Sequence, residues 1–272
     1  MLIEAALQDN SVFTHGRNRA AHDLLVGLEV TGLLDFGCGN APYFAVGAAT
    51  ELGLKVHACD IDADVVDELK DRYGARLDIF AVPESEATLR LEDGQVSAVT
   101  CLDVLEHMPP ASRVTALREL RRVLADDGAL IVTTPHKGLL SFIDPENVRY
   151  YLPRTHKLVY TLLRGRDAYQ SVYGGERFGN FSSGARRHDH FSRRELSELL
   201  TSAGFRVEAV RFFSLIHPLV KVPLWFTEAL GGRVWGADRL TALLVKIYVW
   251  DAHLEPGRLA FSIGIRARKS CP

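Results

Sequence analysis

Short apolar runs alternate with segments of helical spacing along the first half of the chain. Five runs predict strands: GLLDFG, KVHACD, RLDIFAV, VSAVTCLD and GALIVTTP, the last after a turn at ADDG. Helices are predicted at residues 17–29 and 42–52, in DADVVDELKDRYG with Gly74 as its stop, and in SRVTALRELRRVL with Ser112 as its N-cap. Strands that alternate with helices indicate an α/β fold in which helices cover both faces of a parallel sheet.

The alternation returns in the last third of the chain. FSRRELSELLTSAGF is typical of a helix, with Ser192 as the N-cap, Glu195 completing a capping box and Gly204 ending the helix. FRVEAVRFF predicts a sixth strand and RLAFSIGIRARK a seventh. Because these two strands return on each other like a hairpin, we expect the strand near residues 259–268 to lie antiparallel in the sheet.

Two stretches break the pattern. Residues 137–187 contain no clear strand–helix repeat and are rich in tyrosine, arginine and histidine, which favours a substrate cap. Residues 214–256 are strongly apolar, and we expect cap helices or a dimer interface there, with a lipid-facing groove as the alternative. The predicted organisation is a cofactor-binding half-domain at 1–136, an insert at 137–187, and a second half at 188–272 that carries the apolar insertion.

Composition limits the classes of function. The chain has 272 residues, 47% of them hydrophobic, and a formal net charge of −2. This is ordinary for a globular protein, and the near-neutral charge argues against nucleic acid as a partner. None of the four cysteines has Cys-x-x-Cys spacing, so we expect Cys38, Cys59 and Cys101 to be small buried side chains. The first ten residues lack a basic run and a long apolar core, which predicts a cytoplasmic protein.

The stretch LLDFGCGN places two glycines after the first predicted strand, which is typical of a loop that holds a ligand by its backbone. It lacks the lysine of a Walker phosphate loop, and Pro42 stands where a dinucleotide fingerprint has its third glycine or alanine. Asp35, just before the glycines, would also repel a pyrophosphate. These residues therefore favour a ligand without phosphate.

S-adenosylmethionine meets these constraints. Its methionine end is cationic, so Asp35 can face it, and the glycines let the backbone approach the cofactor closely. Asp60 ends the second predicted strand, where a carboxylate can accept hydrogen bonds from both ribose hydroxyls. In parallel α/β sheets, ligands bind at the carboxyl ends of the strands, where both aspartates are expected.

The chain resembles the class I S-adenosylmethionine-dependent methyltransferases, in particular those that act on small molecules. The resemblance rests on LLDFGCGNAPY, VHACDIDADVVDEL, VSAVTCLDVLEHMPP, LRELRRVLADDGALIVTTP and HFSRRELSELLTSAGF, which follow the family's order and spacing. It implies a Rossmann-like α/β fold: a seven-stranded, mostly parallel sheet with helices on both faces, plus a cap or insert after the fifth strand.

The resemblance also implies which residues contact the cofactor. The implied contacts are Asp35, Gly37, Cys38 and Gly39 to the methionine part, Asp60 and Ile61 to the ribose and one adenine face, Ser85 and Glu86 near the adenine amino group, and Cys101 and Leu102 along the site. The chain departs from many relatives at Ser85, where they have an aspartate.

Methyl transfer is an in-line displacement at carbon, and a hydroxyl acceptor also needs a base. Histidine is the natural base near neutral pH, and we take His136, His107 and His190 as candidates. His188 and His190 alternate, so they share one face of an extended segment with Asp189 opposite. A metal site built on this pair is the less favoured interpretation, and no metal is expected.

The sequence thus predicts O-methylation of a small-molecule hydroxyl, such as a sugar, a glycolipid or a natural product. Methyl transfer to nitrogen or carbon, or a non-catalytic scaffold with the same fold, are the alternatives. The predicted partners are a small, carbohydrate or lipid-linked acceptor, a second copy of the chain in a homodimer, and a membrane surface in peripheral contact.

Overall fold

The computed structural model of the protein describes residues 14–82, 88–173, 188–230 and 236–270. Within these ranges, seven strands form one sheet in the order β3–β2–β1–β4–β5–β7–β6. Their bounds are Gly32–Phe36 (β1), Lys55–Asp60 (β2), Asp78–Ala81 (β3), Val96–Leu102 (β4), Leu124–Pro135 (β5), Phe205–Phe213 (β6) and Ser262–Lys269 (β7). Strands β1 to β5 pair in parallel, whereas β7 pairs antiparallel with both β5 and β6. The predicted seven-stranded, mostly parallel sheet with an antiparallel last strand is confirmed.

The helices of the described ranges lie between these strands and after them. Their bounds are His15–Leu25 (α1), Tyr43–Leu52 (α2), Ala63–Tyr73 (α3), Pro110–Val123 (α4), Pro145–Tyr151 (α5), Pro153–Arg164 (α6), Arg166–Tyr173 (α7), Arg193–Ser202 (α8), His217–Leu230 (α9) and Ala237–Asp251 (α10). None of them is both long enough and apolar enough to cross a bilayer.

Two apolar clusters show that helices cover both faces of the sheet. On one face, Leu120 of α4 and Leu200 of α8 pack with residues of β4, β5 and β7. On the other face, Leu24 of α1, Ala48 of α2 and Leu69 of α3 pack with residues of β1, β2 and β4. With both faces covered, ligands reach the sheet at its edges, and the loops at the carboxyl ends of the strands are the natural site.

Several predicted boundaries hold and three do not. Gly74 follows α3 as its C-cap, and the capping box of Ser192 and Glu195 is present at the start of α8. The N-cap prediction for Ser112 is wrong: α4 begins at Pro110, and Ser112 lies inside its first turn with its N–H on Pro109 O. A proline at the first helical position has its φ fixed for a helix and needs no hydrogen-bonded N–H, so the helix starts earlier.

The other two corrections concern the bounds of the first helix and the start of β5. The first helix is His15–Leu25 rather than 17–29, and Gly27 follows it with a φ of +81°. The predicted turn ADDG falls within the bounds of the twelve-residue strand β5, but the pairing with β4 passes from Val96–Leu124 to Ala98–Ala129 and skips these four residues. An irregular pairing of this kind lets a strand continue through residues that would otherwise indicate a turn.

The stretches that break the sequence pattern are helical where the structure describes them. Residues 137–187 contain α5, α6 and α7, and residues 214–256 contain α9 and α10. Val220 and Leu224 of α9 pack with Tyr248 of α10 in a small apolar cluster of their own. A Lys221–Glu146 ion pair of 2.6 Å joins α9 to α5, so the two insertions contact each other.

Candidate active site

The glycine loop after β1 is held against the end of β2. The backbone N–H groups of Gly37 and Cys38 both donate to Cys59 O, at 2.9 and 3.0 Å. Gly37 and Gly39 have φ values of +72° and +62°, which side chains rarely adopt. A Cβ on Gly37 would lie 2.6 Å from Val104 Cγ2, so glycine is required there for two reasons.

Asp60 joins the same loop to the start of α3. Its Oδ2 accepts a 2.8 Å hydrogen bond from the Gly39 N–H, and its Oδ1 accepts a 3.1 Å bond from the Asp62 N–H. A carboxylate oxygen has two lone pairs, so each oxygen can accept one further hydrogen bond. Asp60 therefore fixes the loop and keeps acceptor capacity for a ligand with two neighbouring hydroxyls.

Asp35 lies at the end of β1, buried beneath the glycine loop. Its Oδ1 accepts a 2.7 Å hydrogen bond from Thr100 Oγ1 on the neighbouring strand β4. Burial raises the pKa of Asp35 to about 6, although the Thr100 hydrogen bond and the positive charge of Arg17 act in the opposite direction. A cation placed beside this carboxylate would stabilise its ionised form.

The remaining residues implied as cofactor contacts differ in how deeply they are buried, and two of them lie outside the described residues. Cys38, Cys101 and Leu102 are buried, and Cys101 lies within the apolar cluster on one face of the sheet. Burial also raises the pKa of the Cys38, Cys59 and Cys101 thiols, which confirms the prediction that all three are small buried side chains. Ile61 is half-buried, directly after β2, whereas Ser85 and Glu86 lie outside the described residues.

These observations decide whether S-adenosylmethionine fits the loop. The position that a Cβ of Gly39 would take has no other atom within 4 Å, so the space in front of this backbone is open. Asp35 supplies a buried negative charge for the ammonium and sulfonium groups, and Asp60 supplies acceptors for the ribose hydroxyls. The residues present fit the cofactor.

A second cluster joins the insert to the segment before α8. Asp144 Oδ2 accepts hydrogen bonds from His188 Nδ1 at 2.7 Å and from His190 Nε2 at 2.8 Å. The prediction that the two histidines share one face is thus confirmed, and Asp189 instead pairs with Arg113 on α4. Sequence reasoning missed Asp144, although an aspartate directly before a proline is a common helix N-cap signal.

Ionisation within this cluster is set by its charged neighbours. Burial works against the ionised form of Asp144, but the hydrogen bonds from His188 and His190 hold its pKa well below its ordinary value. Burial alone would lower the pKa of His188, but Asp144 and Glu106 raise it to about 10. His188 is therefore a buried imidazolium at neutral pH and cannot act as a general base.

His188 also faces the loop after β4. Its Nε2 lies 3.6 Å from Glu106 Oε1, a buried oxygen without a hydrogen-bond partner, while Glu106 Oε2 accepts a 3.1 Å bond from Thr134 Oγ1. Asp103, on the same loop, has a φ of +55° and accepts a 2.8 Å bond from Thr133 Oγ1. The loop after β4 thus carries a buried carboxylate, Glu106, and a half-buried one, Asp103, close to the ends of β4 and β5.

The three histidines proposed as bases lie in different surroundings. His190 shares Asp144 with His188, and the partly buried His107 ring lies 4.8 Å from the His188 ring, centroid to centroid. His136 is buried at the end of β5, its Nδ1 is 3.1 Å from Ala260 O, and burial lowers its pKa. Of the three, His136 has both a lowered pKa and one ring nitrogen held by a backbone carbonyl, which leaves Nε2 to accept a proton.

A pocket of about 560 Å³ opens beside the Asp144 cluster. Its walls combine residues of the insert with residues of α4 and of the segment before α8, including Arg113, Ser141, Asn147, Tyr151, His188 and His190. Polar, charged and aromatic side chains are what recognise a polar ring or a hydroxylated molecule. The insert therefore contributes to a pocket at the carboxyl edge of the sheet.

Comparison with known proteins is consistent with this geometry. Residues 34–132 match the family described as a methyltransferase domain. The chain is 28% identical over 132 residues to a ubiquinone biosynthesis O-methyltransferase of Xanthomonas oryzae pv. oryzae, covering 46% of this chain and 53% of that protein. It is 32% identical over 133 residues, with the same coverage, to the protein so named of Bordetella pertussis. The chain thus spans about half the length of the curated relatives it matches.

Solved structures share the fold at low identity. The 1,6-didemethyltoxoflavin-N1-methyltransferase of Burkholderia thailandensis, solved with S-adenosylhomocysteine, superimposes with a TM-score of 0.52 at 15% identity, covering 99% of this chain and 85% of that one. The geranyl diphosphate C-methyltransferase of Streptomyces coelicolor A3(2) gives 0.52 at 14%, covering 97% and 82%. The [4+2]-cyclase SpnF gives 0.53 at 20%, covering 94% and 82%. One fold therefore carries several chemistries, and the acceptor has to be argued from the site.

Proposed function

We propose that this chain is a class I S-adenosylmethionine-dependent methyltransferase that transfers the methyl group of S-adenosylmethionine to a hydroxyl of a small molecule, which the methyltransferase-domain match over residues 34–132 supports. The observation that carries the proposal is the pairing of a buried Asp35 with a glycine loop that Asp60 anchors through the Gly39 N–H. The cofactor supplies an electrophilic methyl group. Every other part of the reaction falls to the chain's own residues.

The cofactor roles follow from charge and hydrogen-bonding capacity. Asp35 is assigned to the cationic methionine end, where an opposite charge favours its ionised form. Gly37 and Gly39 allow close approach of the backbone, and Asp60 accepts hydrogen bonds from the ribose hydroxyls. Ile61 is assigned to one face of the adenine, and Leu102 to the lining of the site. The contacts of Ser85 and Glu86 with the adenine stay predictions.

Oxygen is the proposed acceptor atom for two reasons. The curated relatives quoted above are named O-methyltransferases, although they match only about half of this chain. The pocket is also polar, with Arg113, Ser141 and Asn147 among its walls, which suits a hydroxylated acceptor. Methyl transfer to nitrogen or carbon, and a non-catalytic scaffold, remain the competing interpretations.

We assign the general base to His136. A base must be neutral before it takes a proton, and burial lowers the pKa of His136 below its ordinary value. It must also be oriented, and the contact between Nδ1 and Ala260 O leaves Nε2 as the acceptor. His107 and His190 are less suited, because both lie against the His188 imidazolium.

The insert at 137–187 is proposed as the substrate cap, which is supported by Ser141, Asn147 and Tyr151 on the pocket wall. Sugars, glycolipids and natural products with free hydroxyls are the proposed acceptors. A homodimer, a peripheral membrane contact through the apolar insertion at 214–256, and a cytoplasmic location stay predictions.

Calorimetric titration with S-adenosylmethionine and S-adenosylhomocysteine tests the cofactor assignment first. We expect micromolar binding of both by the wild-type protein and none by Asp60→Ala, with circular dichroism to show that the variant is folded. Transfer of labelled methyl to matched panels of phenols, sugars and amines then tests the acceptor atom. Folded wild-type protein that binds neither cofactor form would overturn the proposal, and transfer only to amines would overturn its oxygen specificity.

A further inference from the structure

The cluster of Asp144, His188 and His190 has the donor atoms and the spacing of a metal site. One carboxylate oxygen and one nitrogen of each imidazole lie within 4.8 Å of one another. Asp144 Oδ2 contacts Nδ1 of His188 and Nε2 of His190. Their side chains are 2%, 12% and 9% exposed, respectively, so the groups are shielded, and the two histidines line the pocket. Three protein ligands with room for a further one is the arrangement of many catalytic metal sites.

The ligands are held in place by contacts outside the cluster. Asn147 binds the backbone of His188 on both sides, since its Oδ1 accepts from the His188 N–H and its Nδ2 donates to the His188 carbonyl. Asp144 Oδ1 accepts a 3.0 Å bond from the Glu146 N–H, which orients Oδ2 toward the histidines. A metal site needs such support, because side chains that are free to change conformation bind a metal ion weakly.

The outer contact of His188 also suits a metal-bound imidazole. If Nδ1 binds an ion, the remaining proton is on Nε2, which lies 3.6 Å from Glu106 Oε1. That oxygen is buried and without a hydrogen-bond partner, and Glu106 is 1% exposed. A carboxylate that accepts the second N–H of a metal-binding histidine is the usual outer partner in such sites.

From this geometry we infer a site for a divalent transition-metal ion on Asp144, His188 and His190, with Glu106 as the outer partner of His188. Two of the three donors are imidazole nitrogens, which favour Zn²⁺ and its neighbours over Mg²⁺ or Ca²⁺. Ion binding removes the protons that His188 Nδ1 and His190 Nε2 now donate to Asp144. His188 releases its Nδ1 proton to solvent and keeps the one on Nε2, and His190 carries its proton on Nδ1 instead. This proposal does not depend on the proposed methyl transfer.

Zn²⁺ alone is the probe. Full-length protein is dialysed against a chelator, loaded with Zn²⁺, dialysed again and analysed for zinc; we expect about one equivalent per chain. His190→Gln and Asp144→Asn should each weaken Zn²⁺ binding at least tenfold, and the asparagine keeps the oxygen that caps α5. His57→Gln is the matched control, because His57 also pairs with one aspartate, Asp78, at 2.7 Å, and it should bind as the wild type does.

A third variant distinguishes the neighbouring group of Glu106, His107 and His188, which also meets the spacing. We expect His107→Gln to retain Zn²⁺. Loss of binding in His107→Gln with retention in His190→Gln would overturn the assignment, as would wild-type protein that holds no zinc or folded His190→Gln that binds it unchanged. Zinc binding by protein that fails to bind S-adenosylmethionine would overturn the proposed function alone.

Discussion

The Gly39 N–H donates a 2.8 Å hydrogen bond to Asp60 Oδ2, and this bond ties the glycine loop after β1 to the end of β2. The two residues are 21 positions apart in the chain, but adjacent parallel strands bring their carboxyl ends together. The loop therefore has its shape before a ligand arrives. A preorganised loop of this kind loses less conformational entropy when it binds.

Gly39→Ala should impair cofactor binding more than it impairs folding. Gly39 and Gly53 have nearly the same φ, +62° and +64°, and neither has an atom within 4 Å of the position a Cβ would take. Alanine at either position thus incurs a similar strain of about 1–2 kcal/mol. Gly53 follows α2 as its C-cap, away from the loop, so Gly53→Ala is a matched control.

Denaturant unfolding and calorimetric titration of both variants check this prediction. We expect similar losses in the free energy of unfolding, and a fall in S-adenosylmethionine affinity of at least tenfold for Gly39→Ala only. Equal affinities for the two variants would show that the open space in front of Gly39 does not receive the cofactor.

Asp35 predicts how cofactor affinity depends on pH. Burial raises the pKa of Asp35 from its ordinary 3.8 to about 6, so the folded protein favours the protonated form. The free energy of unfolding therefore falls as the pH rises from about 4 to about 6, because Asp35 ionises more readily in the unfolded chain. A cationic ligand favours the ionised form instead. Affinity for S-adenosylmethionine should therefore be constant above pH 7 and fall roughly tenfold per pH unit below about 6.

Titrations between pH 5 and pH 8 measure this dependence, with Asp35→Asn as the control. The amide cannot ionise, so the variant should bind weakly, without the decline that Asp35 causes. Identical pH profiles for the two proteins would exclude Asp35 as the partner of the cationic end.

The fold could be predicted largely because its determinants are local. Alternating apolar runs and helical spacing indicate the strands and helices. Asp35 and Asp60 lie at the ends of two strands that this pattern already predicts. The N-cap prediction for Ser112 is wrong because a capping side chain and a proline in the first turn are competing signals for the start of a helix. The prolines at 109 and 110 start the helix first.

The Asp144 cluster could not be predicted in the same way. Its hydrogen bonds join residues 44 and 46 positions apart, and no periodic pattern links the insert to the segment before α8. The sequence places His188 and His190 on one face, but only the tertiary structure shows which carboxylate they meet. The same holds for Glu106, whose buried oxygen faces His188 across two loops.

His136→Ala tests the general base. Removing a base that takes a proton in the transition state lowers kcat by about 10²–10⁴-fold, whereas KM should change little. Exogenous imidazole should restore part of the activity of His136→Ala, since it can enter the space left by the side chain. His107→Ala is the comparison, and imidazole should not rescue it. A His136→Ala variant with nearly wild-type kcat would exclude His136 as the base.

Gly37 and Val104 should be coupled in stability. A Cβ on Gly37 would lie 2.6 and 2.9 Å from the two methyl carbons of Val104, in addition to the strain of its φ of +72°. Overpacking costs about 1–3 kcal/mol and the strained φ about 1–2 kcal/mol, so Gly37→Ala should lower the free energy of unfolding by about 2–5 kcal/mol. In a Val104→Ala background the methyl groups are gone, and the same change should cost only the strain.

Denaturant unfolding of the wild type, both single variants and the double variant gives the coupling free energy directly. We expect it to be about 1–3 kcal/mol, with the double variant more stable than the sum of the single changes implies. A coupling below about 0.5 kcal/mol would mean that the loop moves away from Val104 when it accepts alanine. Since that movement would shift Gly39 and the Asp60 hydrogen bond as well, the two proteins that carry Gly37→Ala should then lose cofactor affinity equally, whereas Val104→Ala should bind as the wild type does.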